Sequence, residues 1–197
     1  MSITSSETVR HARTAHPIVD LLDERWSPRS FDETAVVDEN TLTALLEAAR
    51  WAPSAANFQP RRFVVARRGT AEFDAIVAAL SAGNQPWAPR ASVLIVGIAV
   101  AIDPDGKPYR WAEYDLGQSL AHLTVQAHAE GLHVHQMGGF DAAALAETFD
   151  LGSTLVPVSV TAVGTVADAA RLGERYESRE LADRDRLPLE ELVLVRA

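Results

Sequence analysis

Two arginines bracket a serine in the segment RWSPRSFD, residues 25–32. Guanidinium groups present a planar fork of donors that matches phosphate oxygens, and a nearby hydroxyl adds a neutral hydrogen bond. Arg25, Ser27 and Arg29 therefore have the chemistry of an anion-binding turn, with Pro28 biasing Ser27 toward an extended backbone. The same residues also suit a solvated turn held by weak surface ion pairs. A second basic pair, Arg184 and Arg186, is spaced so that both side chains share one side of an extended stretch. It reads either as an anion clamp or as part of a charged tail.

Uncharged polar groups gather in three further places. APSAANFQP (52–60) combines the helix terminator Pro53 with the small residues Ser54 and Ala55 and the amide of Asn57, and suits a pocket wall or a plain loop. Asn84 precedes a long apolar run and could pair with an imide edge, while Trp87 in the same loop suits a buried anchor. Gly138 and Gly139 offer backbone N–H groups that a ligand can approach with no side chain in the way; an ordinary turn is the alternative. His122, His128, His133 and His135 have no carboxylate at chelating spacing and read as packing or hydrogen-bonding residues, with no metal expected.

What the chain lacks narrows the chemistry. It contains no cysteine, so disulfides, thiolate metal sites and cysteine nucleophiles are excluded, and redox work requires a bound organic cofactor. A formal net charge of -9 argues against a nucleic-acid partner. No secretory-type apolar core opens the sequence, and the longest apolar run, residues 93–102, is too short to span a bilayer, so a cytoplasmic protein with no membrane partner is expected. No nucleophile elbow, P-loop, zinc-protease helix or dinucleotide fingerprint occurs, which leaves a nicotinamide cofactor only an open, shared site.

These residues need elements to position them. The 197 residues suit one domain, with residues 1–16 as a flexible arm and 17–197 as the domain. Helices are expected over 17–25, from the N-cap Asp38 to Arg50, over 70–82, over 111–130 with Gly131 as a left-handed cap, and after the N-cap Asp141. Strands are expected at 61–66, 92–100, 132–137 and 156–164, with 92–100 central and an irregular charged tail from Thr165. A stripe of small residues, Gly117, Ala121 and Thr124, fits either a tight contact within the chain or a subunit interface.

Taken in order, RWSPRSF (25–31), APSAANFQP (52–60), NQPWAPRAS (84–92), GLHVHQMGGFD (131–141) and RDRLPLEELV (184–193) resemble the nitroreductase family of FMN enzymes across nearly the whole chain. The resemblance implies an α+β fold, a central mixed β-sheet flanked by helices, in an intertwined homodimer with flavin at the subunit interface. By this likeness Arg25, Ser27, Arg184 and Arg186 hold the FMN phosphate and its nearby chain. Arg29 supports the flavin's N1 and O2 edge, Asn84 bonds the pyrimidine ring, and Gly138 with Gly139 donate to N5 and O4. Pro53, Ser54, Ala55 and Asn57 reach the same flavin from the partner subunit. The activity implied is ping-pong hydride transfer from NADH or NADPH, through N5, to a nitroaromatic, quinone or other small organic acceptor. A flavin-storing protein with little turnover is the alternative, as is dehalogenation, ene reduction or dehydrogenation on the same scaffold. Trp87 stands where some family members carry a cationic group.

Overall fold

The computed structural model describes residues 10–196. Its β-branched and apolar runs form strands β1 (Arg61–Arg67), β2 (Val93–Val100), β3 (His133–Met137) and β4 (Leu155–Gly164). The helices are α1 (Asp20–Asp23), α2 (Glu39–Arg50), α3 (Ala71–Ala79), α4 (Ala112–Ala129), α5 (Ala142–Thr148), α6 (Glu174–Leu181) and α7 (Leu189–Leu192).

The strands lie in the order β1-β2-β4-β3, and every neighbouring pair is antiparallel. That corrects the expected mixed sheet. The reason is the connection between β1 and β2. A nine-residue α3 is followed by residues 80–92, which carry the chain back to the end of β1 that it left, where the Arg68 N–H donates to the Ser92 carbonyl at 3.0 Å. A helix between adjacent strands therefore does not make a parallel crossover here.

Strand β2 is the sheet's centre, with Val93 to Ala99 buried on both faces. Leu94, Val96 and Ile98 pack with Phe73 and Ile76 of α3 and Leu145 of α5, whereas Val93 and Ile95 pack with Leu42 and Leu45 of α2 and Leu123 of α4. The sheet is thus sandwiched between two helical layers, each fully buried aliphatic side chain stabilising it by about 1.5–3 kcal/mol.

Local chemistry sets the helix ends. Asp38, Thr70 and Asp141 cap α2, α3 and α5 by accepting the N–H groups of Thr41, Phe73 and Ala144, and Gly131 takes φ 73° after α4. Helix α1 is shorter than the 17–25 expected, and α3 stops at Ala79 rather than Ala82. At Leu80 the backbone turns extended to bridge Phe140, and the Ser81 N–H donates to the Gly139 carbonyl at 2.9 Å. Pairing with that segment outcompetes another helical turn. The tail from Thr165 is not irregular: it folds into a short 3-10 turn, α6 and α7. Helix α6 buries only Tyr176 and Glu180, so its sequence shows no apolar stripe.

Candidate functional site

Strand β3 organises one half of the site, because its start, middle and end each meet a different part of the candidate set. At its start, the half-buried His133 lies beside His128 and the Arg25 cation. At its middle, the His135 Nδ1 sits 2.8 Å from the Pro28 carbonyl, with Arg29 alongside. At its end come Gly138 and Gly139.

The 25–31 turn is held from several sides. The N–H of Arg29 donates to both carboxylate oxygens of Glu180 at 2.9 Å, and the Ser30 N–H donates to Oε1 at 2.9 Å. The Ser30 hydroxyl donates to the Asp168 carbonyl at 2.7 Å, and Phe31 bridges Val166. Among the described residues the Arg29 guanidinium takes no hydrogen bond of its own, so its charge is available to the space beside β3. Both His133 and His135 have pKa values pushed down to about 4, chiefly by burial. They are neutral at physiological pH, and the Nδ1 proton of His135 points at Pro28.

The arginines predicted to act together do meet. Arg25 donates to the Ser27 hydroxyl at 3.3 Å, and Arg184 and Arg186 stand close enough, with burial, to depress the Arg25 pKa. Among the described residues no carboxylate offsets them at Arg25, while Asp23 partly offsets Arg184, so the cluster is a net cationic patch. Arg184 is partly committed, donating to the carbonyls of Asp23 at 2.6 Å and of Arg10. Arg186 is exposed and among the described residues bonds only its neighbour Asp185.

Asn84 and the glycine pair also come together. The Asn84 Nδ2 donates to the Gly139 carbonyl at 3.0 Å, which leaves its side-chain oxygen as a free acceptor. Neither glycine N–H has an acceptor among the described residues. A Cβ on Gly139 would lie 2.7 Å from the Ser81 hydroxyl and 3.1 Å from the Asn84 amide, so any side chain there would displace both. Beside them opens a cleft of about 720 Å³ lined by residues 78–81, 138–142 and 144. Trp87 is a buried anchor: its Nε1 donates to the Gly83 carbonyl, and its ring packs on His135 and Phe31.

Pro53, Ser54, Ala55 and Asn57 are not part of this assembly. They precede β1, at the opposite edge of the sheet from β3, three strand spacings or about 14 Å away. There the loop is rigidly held although Ala56, Asn57 and Gln59 all have positive φ. The buried carboxylate of Asp115 accepts the Ala55 N–H at 3.1 Å and the Tyr109 hydroxyl at 3.2 Å, and the Ser54 hydroxyl accepts the Gln59 N–H at 3.0 Å.

Sequence reasoning missed three supports: Glu180, Asp115 and Arg10. The first two are buried carboxylates on helices whose patterns look like ordinary solvated faces. Arg10 lies in the segment expected to be a free arm, yet it donates to the Glu180 and Ala182 carbonyls and lies 4.5 Å over the Trp26 ring. Residues 10–13 are anchored, and residues 1–9 lie outside the described residues.

Known proteins share this fold. The chain resembles a solved oxidoreductase described as containing FMN, at 35% identity and a TM-score of 0.87 over 92% of each chain. It is 25% identical to a Bacillus subtilis protein provisionally named an NAD(P)H nitroreductase, over 84% of this chain and 96% of that one. A Streptomyces coelicolor protein provisionally named an NADH dehydrogenase or NAD(P)H nitroreductase is 29% identical over 68% of this chain and 76% of its own length. The family model described as Nitroreductase family matches residues 22–83 and 69–165. The chain belongs to the nitroreductase family of oxidoreductases.

Proposed function

We propose that the protein binds FMN and uses it as an NAD(P)H-dependent oxidoreductase, in a homodimer whose two sites are each built from both copies. The observation that carries this reading is the order of donors along β3. The Arg25, Arg184 and Arg186 cluster lies by His133, Arg29 by His135, and the two glycines with Asn84 at the strand's end. From His133 to Gly138 the chain runs about 17 Å, a span that suits a molecule with a phosphate at one end and an imide-bearing ring at the other.

The residues fit that group. Three arginines and the Ser27 hydroxyl match the phosphate oxygens. The free oxygen of Asn84 matches an imide N–H, and the two unpartnered glycine N–H groups match acceptors on the ring edge, with the missing Cβ at Gly139 allowing close approach. When bound, FMN supplies hydride acceptance from a reduced nicotinamide and electron delivery to a small organic acceptor such as a quinone or nitroaromatic. The chain then has to bind, orient and stabilise. Arg29 places a fixed positive charge where negative charge collects on reduction. His135 stays neutral and keeps its Nδ1 proton on Pro28, so it positions the turn and leaves the proton balance to solvent.

The wall at 53–57 supports the dimer. One copy cannot bring it to the β3 edge, but a two-fold partner can, producing two equivalent composite sites. Gly117 and Ala121 of α4 face solvent, and a Cβ added at Gly117 would meet nothing within 4 Å. Thr124, the third residue of the stripe, is buried and bonds Gln136 within the chain, so it is the Gly117 and Ala121 end that supports contact with a second copy. The tail adds apolar surface, with Leu194 91% and Val195 83% exposed.

The test is anaerobic titration of the purified, FMN-supplemented protein with NADH and NADPH. Bleaching followed by recolouring with a quinone supports the enzyme. No nicotinamide-dependent bleaching refutes the donor assignment, and bleaching without steady turnover points to flavin storage.

A further inference from the structure

We infer that Glu180 is the positioning residue that sets the phosphate-binding and ring-facing arginines in register, locking the 25–31 turn to the helix that delivers Arg184 and Arg186. The inference rests on the FMN reading above and adds a residue to it.

The geometry is specific. Glu180 is 2% exposed, a burial rare for a carboxylate without a compensating partner. Its side chain spends its acceptor capacity on consecutive backbone N–H groups, those of Arg29 and Ser30, through contacts of 2.9 Å. Those two amides lie within the turn that carries Arg25, Ser27 and Arg29. A carboxylate that accepts adjacent N–H groups fixes the direction of the backbone there, and so fixes where the Arg29 side chain starts. Burial raises the Glu180 pKa, while the two N–H groups and the Arg29 and Arg10 cations oppose that shift. Those two cations are the charged groups facing it.

The same residue ties down the other half of the cluster. Its own backbone carbonyl accepts from Arg10, the Arg10 carbonyl accepts from Arg184, and Arg184 also donates to the Asp23 carbonyl at 2.6 Å. Glu180 therefore joins, through its side chain, the turn bearing Arg25 and Arg29 and, through its main chain, the segment bearing Arg184. Two stretches more than 150 residues apart in sequence are thus tied together through one residue. Replacing the carboxylate with an amide keeps one acceptor but presents an NH2 group to an N–H donor, so one amide is left facing a donor.

The experiment compares the holoenzyme with Glu180→Gln and with Glu174→Gln, an exposed control on the same helix. In Glu180→Gln, FMN should dissociate about tenfold faster or more, and the potential of the bound flavin should fall because the Arg29 charge is no longer held beside the ring. Glu174→Gln should match the unaltered protein in both. A merely structural role would lower the melting temperature of Glu180→Gln yet leave the potential of the flavin that stays bound unchanged, and that result overturns the inference. Should Glu180→Gln fail to fold, amide hydrogen exchange in the unaltered holoenzyme decides. Protected Arg29 and Ser30 amides support the clamp, and exchange at open-loop rates overturns it. An unaltered protein that takes up no FMN would refute the flavin reading itself. An FMN-bound protein with an indifferent Glu180→Gln refutes only the clamp.

Discussion

His133 and His135 are neutral histidines kept so by burial, and that has a consequence for stability. Their pKa values fall from 6.5 to about 4, so between those pH values the unfolded chain binds protons that the folded chain does not. Stability is therefore intact above pH 6.5 and declines as pH falls toward 4, by on the order of 3 kcal/mol for each histidine. Denaturant unfolding at a series of pH values should show this loss, and His135→Asn should flatten part of it; a stability independent of pH over that window would contradict the assignment. The arginines make a different kind of prediction. If Arg25 and Arg186 hold the FMN phosphate as proposed, replacing both with alanine should lower FMN affinity far more than riboflavin affinity in equilibrium titrations. Equal losses for both ligands would mean that these residues do not hold a phosphate. At this scale the residue types alone left the arginines, Ser27, Asn84 and the glycine pair open between a ligand site and ordinary turns, and only their order along the chain singled them out as candidates; the structure brings Arg25 near Arg184 and Arg186, and Asn84 to Gly139. Glu180 and Asp115 were not, because nothing in a charged helix pattern says that one carboxylate turns inward to satisfy backbone N–H groups.

Elements convert those residues into a site, and two of them do so by stopping early or by holding strain. Helix α3 ends at Ala79 so that residues 80–84 can pair with Gly139–Phe140, which is what delivers Asn84 to the glycines. Gly139→Ala should accordingly weaken FMN binding by about tenfold, since a Cβ there strikes Ser81 and Asn84; unchanged FMN affinity would place the ligand elsewhere. At the far edge, Asp115 accepts from Ala55, Tyr109 and Gln118 around the 53–59 loop and lies near the buried Arg61. Asp115→Ala removes the negative charge near the buried Arg61 and the acceptor of the part-buried Ala55 N–H and the Tyr109 hydroxyl, and should cost about 1–3 kcal/mol, read as a lowered melting temperature. Strand positions, the N-caps at Asp38 and Asp141 and the Gly131 cap were legible from periodicity and capping chemistry. The antiparallel β1 and β2 were not, because the direction of a connection depends on a return loop whose path has no sequence signature.

For the whole molecule, the donor set is divided between opposite edges of one sheet, and apolar surface is left open on α4 and in the tail. A chain cut after Arg186 loses α7 and the exposed Leu189 to Val195 stretch, so it should shift toward monomer in sedimentation and lose FMN with the partner wall. A truncated protein that stays dimeric with full flavin would show that the tail covers something else. Sequence could indicate a partner's contribution only through the family likeness; physical spacing across the sheet supplies the independent argument. The most direct measurement is the visible spectrum of the pure full-length protein after incubation with FMN and removal of excess, with the released cofactor identified by chromatography. A flavin site in each copy of the dimer should give a yellow protein carrying one FMN per chain, whereas a colourless protein that retains no flavin would refute the FMN reading.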